Sequence, residues 1–163
     1  MVKDISWDEL NKFNDSLKNK YPKLLSKIGN DSLAPIRRGL QCGNGWLKIL
    51  RPLFEELSKY DIVLEQVKEK FGGLRIYWSS NLELSDEDEK TIRDLIHKAE
   101  EECWKICETC GAEGKLVNEK GWLFVSCEKC KKKGWKEREN YIKKLQKEGL
   151  LLTPYELMFG KSE

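Results

Sequence analysis

Apolar side chains recur every three or four positions in three stretches of this chain and alternate with polar ones in a fourth. Trp7, Leu10, Phe13 and Leu17 make one buried stripe and predict a helix to about Lys20. Ser6-Trp7-Asp8-Glu9 is a capping-box pattern that opens it, and Tyr21-Pro22 closes it. A second stripe, Trp46, Leu50, Leu53, Phe54 and Leu57, predicts a helix within 46–60. Pro52 lies inside it and is expected to kink or restart the helix, because it lacks a donor and crowds the preceding turn. The third stripe is Ile92, Leu95, Ile96, Ala99, Cys103 and Ile106. Ser85 caps this helix, and Asp86, Glu87 and Asp88 sit at the positive end of its dipole.

Between the second and third stripes the period changes. Leu74, Ile76 and Trp78 alternate with Arg75 and Tyr77, as a strand requires. The segment before them is less regular. Val63, Val67 and Phe71 share one parity, but Glu65 and Glu69 share it too, and a spacing of four also suits a helix. Ile62-Val63 and the central Gly72-Gly73 favour a β-hairpin turning at the two glycines. Its edge could remain free to pair with a partner or a second copy. Asn30, Pro35, Gly39, Gly43 and Gly45 mark 30–45 as a loop. Near the end of the chain, helices are expected over 135–147 and 155–159.

The chain has 163 residues, 39% of them hydrophobic and 10% aromatic, enough for one core with a small appended module. Its 30 basic and 28 acidic residues nearly balance, so overall charge selects neither a nucleic-acid binder nor an enzyme of acidic substrates. Charge is nonetheless segregated. Nine acidic residues face three basic ones over 83–102, and nine basic residues face two acidic ones over 129–147. These are either two solvated helix faces or an acidic helix and a basic docking face. The amino terminus leads into an amphipathic helix rather than an apolar run, and no stretch approaches a membrane span, so a cytoplasmic protein is expected.

Reducing surroundings change the meaning of the cysteines. Cys107-Glu-Thr-Cys110 and Cys127-Glu-Lys-Cys130 are two C-x-x-C pairs with sixteen residues between them. A C-x-x-C turn lets two sulfurs converge on one ion, and two such turns complete the thiolate tetrahedron that zinc prefers. One structural zinc on Cys107, Cys110, Cys127 and Cys130 is the expected cofactor. A redox dithiol or a pair of disulfides is the alternative. Gly111 suits the first turn, and 121–126 reads as a strand delivering the second pair. Cys103 falls on a helix stripe as a core residue. Cys42, in Gln-Cys-Gly-Asn-Gly-Trp, reads as a buried thiol, and His97 as a surface or half-buried side chain rather than its catalytic base.

Two places could receive an anion. In Phe-Gly-Gly-Leu-Arg-Ile-Tyr, Gly72 and Gly73 allow a close backbone approach, Arg75 suits phosphate or carboxylate, Tyr77 shares its strand face and Lys70 adds charge. Arg37 and Arg38, with Asn44, form the second. A plain hairpin with a solvated Arg-Tyr face is the competing reading of the first.

Three segments together resemble a family of small uncharacterised phage and prophage proteins: Cys42-Gly43-Asn44-Gly45-Trp46; Lys68-Glu69-Lys70-Phe71-Gly72-Gly73-Leu74-Arg75-Ile76-Tyr77; and the module from Cys107 to Cys130. The resemblance spans about two thirds of the chain. It implies a protein that acts on host machinery, either by binding a host protein or by sequestering a nucleotide signal in defence inhibition. The class alternative is a nucleic-acid-binding zinc ribbon that uses the basic region 129–147 with Trp135. No phosphate loop, H-E-x-x-H motif or nucleophile elbow supports an enzyme. The expected architecture is α+β: a helical and β-hairpin domain over 1–106, then a zinc-ribbon module with basic helices over 107–163, as a monomer or homodimer.

Overall fold

The fold is described in a computed structural model covering residues 7–30 and 32–131, with side chains from Lys12 onward. The Ser6 cap, the helices expected at 135–147 and 155–159 and most of the basic stretch lie outside the described residues. Met1–Cys127 is one compact unit, and 128–131 are the described part of a second.

The architecture is α+β. Helix α1 (Trp7–Lys20) is followed by a run of turns, then helix α2 (Leu47–Leu57), the hairpin β1 (Val63–Lys70) and β2 (Gly73–Ser79), and helix α3 (Asp86–Glu102). A second hairpin, β3 (Lys115–Glu119) and β4 (Trp122–Ser126), follows the first cysteine pair. Each hairpin is a separate two-stranded antiparallel sheet. α2 runs through Pro52 as one helix. Of the kink or restart expected there, the restart is absent, and a tight 3₁₀ turn at Asn44–Trp46 precedes the helix.

The core gathers where α2, α3 and the inner face of the first hairpin meet. Trp46, Leu50, Phe54 and Leu57 from α2 and its entry turn are fully buried, as are Leu64, Val67 and Leu74 from the hairpin and Ile92 from α3. At about 1.5–3 kcal/mol for each large apolar side chain removed from water, this cluster is the main source of stability. Tyr21, Leu24, Leu25 and Ile28 join it from the turns after α1, a stretch without a clean sequence period. Ser85 caps α3 as expected, its hydroxyl accepting the Asp88 amide at 3.1 Å.

A β-bulge explains the irregular first arm. The register slips between Leu64 and Gln66, so Leu64 and Val67 both face inward although three positions apart. The turn also differs from expectation. Phe71 and Gly72, at φ 54° and 81°, form it, while Gly73 begins β2 opposite Lys70. Positive φ at both central residues is the type I′ pattern, whose twist matches that of the strands.

The hairpin edges are not open along their length. On one side the Gln41 amide donates to the Val67 carbonyl at 2.8 Å, and its own carbonyl accepts from Glu69 at 3.0 Å. On the other, the Leu74 amide donates to Cys103 Sγ at 3.2 Å and the Ile76 amide to Glu100 Oε1 at 3.1 Å. The loop before α2, the last turn of α3 and the 3₁₀ turn that follows it thus satisfy groups that a bare edge would offer to another chain.

Candidate metal centre

After α3, a 3₁₀ turn over Cys103–Lys105 leads into the first cysteine pair. The chain folds back on itself there. The Cys107 amide donates to Ala112 O at 2.8 Å, the Gly111 amide to Cys107 O at 2.9 Å and the Gly114 amide to Lys105 O at 2.9 Å. Gly111 takes φ 76°, a backbone state that a side chain would disfavour. β4 then brings up the second pair, joined to the first where the Glu108 amide donates to Val125 O at 3.1 Å.

The sulfurs of Cys107, Cys110, Cys127 and Cys130 all lie within 4.8 Å of one another. Cys110 Sγ and Cys127 Sγ are 3.7 Å apart. A tetrahedron with metal–sulfur bonds of about 2.3 Å has edges of roughly 3.8 Å, so this spacing suits a shared ion. It is well beyond a disulfide bond of about 2.05 Å, and none of the six cysteines is in a disulfide. Cys107 is fully buried. Burial raises its pKa, but amides of Cys127, Cys110 and Thr109 and the Cys110 side chain outweigh that effect and hold it near 6. Donors aimed at sulfur favour the thiolate, the form in which cysteine binds metal. The donor set, the spacing and the amides together fit a closed four-thiolate metal site.

The Cys42–Trp46 segment has a role that sequence alone did not indicate: it grips the first cysteine turn. The Gly45 amide donates to Glu108 O at 2.7 Å and the Gly43 amide to Glu108 Oε1 at 2.8 Å. The Trp46 indole donates to Ile106 O at 2.9 Å while its ring is fully buried in the core. Gly45 has no room for a side chain, since a Cβ would lie 2.2 Å from Cys107 O and 2.5 Å from Gly111 N. Glu108 is part of this grip. Burial pushes its carboxyl up, the Gly43 amide pulls it back and Glu69 adds to the rise. The spacing of two glycines before a tryptophan was the available signal, but it did not name the surface that the glycines approach.

The remaining candidates are dispersed. Burial first, then the Glu108 charge, pushes the Cys42 thiol up to about 12, which keeps it protonated and unreactive. His97 lies on α3 with its side chain 72% exposed, 3.5 Å from Glu101. Arg37 and Arg38 are exposed in a 3₁₀ turn, and Asn44 is exposed in another. Among the described residues no hydrogen bond or ion pair joins these arginines to Asn44. Lys70, Arg75 and Tyr77 share the outward side of the first hairpin. The glycines of its turn meet protein: a Cβ on Gly72 would lie 2.8 Å from the Leu116 side chain, and one on Gly73 2.8 Å from the Trp104 ring.

No family model matches the chain, and no curated protein and no solved structure matches it. No helix among the described residues is long and apolar enough to cross a membrane.

Proposed function

We propose that this chain is a non-catalytic, zinc-stabilised binding protein of the phage type, acting on a host protein or holding a nucleotide signal in the host cytoplasm. The observation that carries the reading is the closed thiol cage. Four cysteine sulfurs within 4.8 Å of one another supply every position of a tetrahedral zinc ion. No coordination position is left for a substrate, so the metal acts as folding energy rather than as a Lewis acid. The elevated Cys42 thiol and the exposed His97 add support, since neither has the setting of a nucleophile or its base. The resemblance in the Cys42–Trp46 and Lys68–Tyr77 segments supplies the phage context.

Native mass spectrometry of the freshly purified chain tests this reading. One zinc per chain is expected. An additional small mass with a nucleotide's absorbance would favour the sequestering form, whereas zinc alone would favour a host protein. A chain that keeps its fold and carries no metal would overturn the zinc role.

A further inference from the structure

We propose that the outward face of the first hairpin, Lys68, Lys70, Arg75 and Tyr77 with the flanking rings of Phe71 and Trp104, binds single-stranded nucleic acid. This goes beyond the zinc-stabilised reading and does not depend on it.

Register creates the face. Gln66 pairs with Tyr77, Lys68 with Arg75 and Lys70 with Gly73, and directly paired residues lie on the same side of a sheet. The other side carries Val67, Leu74 and Ile76 into the core. Over 66–70 and 73–77 the outward positions therefore hold three cations and no carboxylate. The nearby acids are committed elsewhere. Glu69 turns inward and accepts the Gly72 amide at 2.6 Å, and Glu65, beyond the bulge, is bound by Lys27 and Ser79. Placing Lys68 directly across from Arg75 is unfavourable for the isolated fold, because like charges opposite one another repel. An anion laid over them reverses that sign.

Aromatic rings are interleaved with these cations. Tyr77 is 47% exposed and has Lys68 Nζ 5.3 Å from its ring centre. Phe71 is 69% exposed, with Lys70 Nζ 5.4 Å from its ring. The half-buried Trp104 indole lies over Gly73, beside the Arg75 guanidinium. Phe71 is the second, independent pointer. A type I′ turn prefers Asn or Gly where Phe71 stands at φ 54°, and the core gains nothing from a ring left in solvent. Neither the turn nor the core explains that side chain, whereas a stacking partner does.

The mixture of groups selects the occupant. Cations track a phosphate backbone, and exposed rings stack on unpaired bases of any identity. A duplex keeps its bases from such rings, and an acidic protein surface would use the cations but leave the rings unused.

The test is fluorescence anisotropy with the zinc-loaded full chain and a labelled mixed-sequence oligodeoxynucleotide, alongside its RNA counterpart and the matching duplex. Single strands should bind, more tightly than the duplex. The slope of log affinity against log salt should be roughly −2, from about 0.7 for each of three phosphates neutralised. Tyr77→Ala should weaken binding about tenfold with the slope unchanged, and Tyr77→Phe should restore it. A Lys68→Gln/Arg75→Gln variant should flatten the slope by about 1.4. Melting temperature and zinc content, followed in each variant, separate a lost surface from a lost fold. Three results would overturn the proposal. One is that neither strand binds at low salt. Another is that polyglutamate or the duplex binds equally well and Tyr77→Ala has no effect, which would make this an acidic-partner face. The last is that binding survives the Lys68/Arg75 changes and disappears when Lys132, Lys133, Lys136 and Arg138 become Ser.

Discussion

The two hairpins share a turn geometry and differ in what holds them. Phe71-Gly72 turns the first at φ 54° and 81°, and Lys120-Gly121 turns the second at 52° and 85°. Both are tight antiparallel pairs. The first sinks Leu64, Val67, Leu74 and Ile76 into the main core. The second contributes Val125 to that core, while Leu116 and Trp122 stay 50% and 57% exposed. An isolated two-stranded ribbon is marginal in water. The first hairpin is supported by burial against helices. The second lies between two cysteine pairs, where a metal can supply the support that its sparse apolar contacts do not. Similar backbone shapes can therefore rest on different sources of free energy within one chain.

Metal removal should break this comparison most strongly. Chelation, or Cys107→Ser, should abolish amide hydrogen-exchange protection over 115–126 while that of 47–57 and 63–79 persists. Structural zinc contributes about 10–16 kcal/mol of apparent binding free energy in small zinc modules, far more than the second hairpin can replace. Uniform loss along the chain would mean that the hairpins are one cooperative unit. A smaller effect separates the two kinds of glycine. Gly45→Ala should cost about 3 kcal/mol in chemical denaturation and lower metal affinity with it, because its Cβ would enter the Cys107 carbonyl. Gly121→Ala, with no atom within 4 Å, should cost only about 1 kcal/mol from its φ of 85°. Equal costs would remove the claim that the Cys42–Trp46 loop clamps the cysteine turn.

Two weaker effects sharpen the account of the first hairpin. Phe71→Asn should stabilise it by about 0.5 kcal/mol, since Asn tolerates the left-handed region better than Phe, while weakening oligonucleotide binding. A melt with an oligonucleotide titration reads both. Glu65→Gln probes the ion pair with Lys27 at the strand's far end. Burial alone would raise the Glu65 carboxyl, but Lys27 and Ser79 together leave it below its ordinary value of 4.5. The contribution is then complete above that ordinary value and fades as pH falls through the lowered one. The variant should be about 0.5 kcal/mol less stable at neutral pH and should converge on the parent in acid, as melts across pH would reveal.

The sequence carried its helices in the open because their signals are local. The Leu50–Leu57 and Ile92–Ala99 stripes repeat at the helical period, and Ser85 precedes its own acidic turn. The four clustered cysteines of the candidate metal site were equally legible, since C-x-x-C spacing alone brings sulfurs together in pairs. The bulge at Leu64–Gln66 was not, because it depends on both Leu64 and Val67 finding places in a core built by α2 and α3. At Pro52 the sequence left a kink and a restart both open, for a related reason. Its cost is local, while the packing of Leu50, Leu53 and Phe54 that keeps the helix continuous is not.

The second hairpin shows where that boundary falls. Its strand before Cys127 could be read from Gly121–Ser126, but its partner strand, with Lys115, Asn118 and Glu119 among five residues, had no apolar alternation to declare it. What the sequence determined by itself was local: helical stripes, a cap and the two cysteine pairs of the candidate metal site. Tertiary structure alone decided what Gly43 and Gly45 approach, which strand edges are covered and which cations share a face. Those outcomes depend on residues about 25 to 65 positions apart meeting across the fold, and no local period encodes such a meeting.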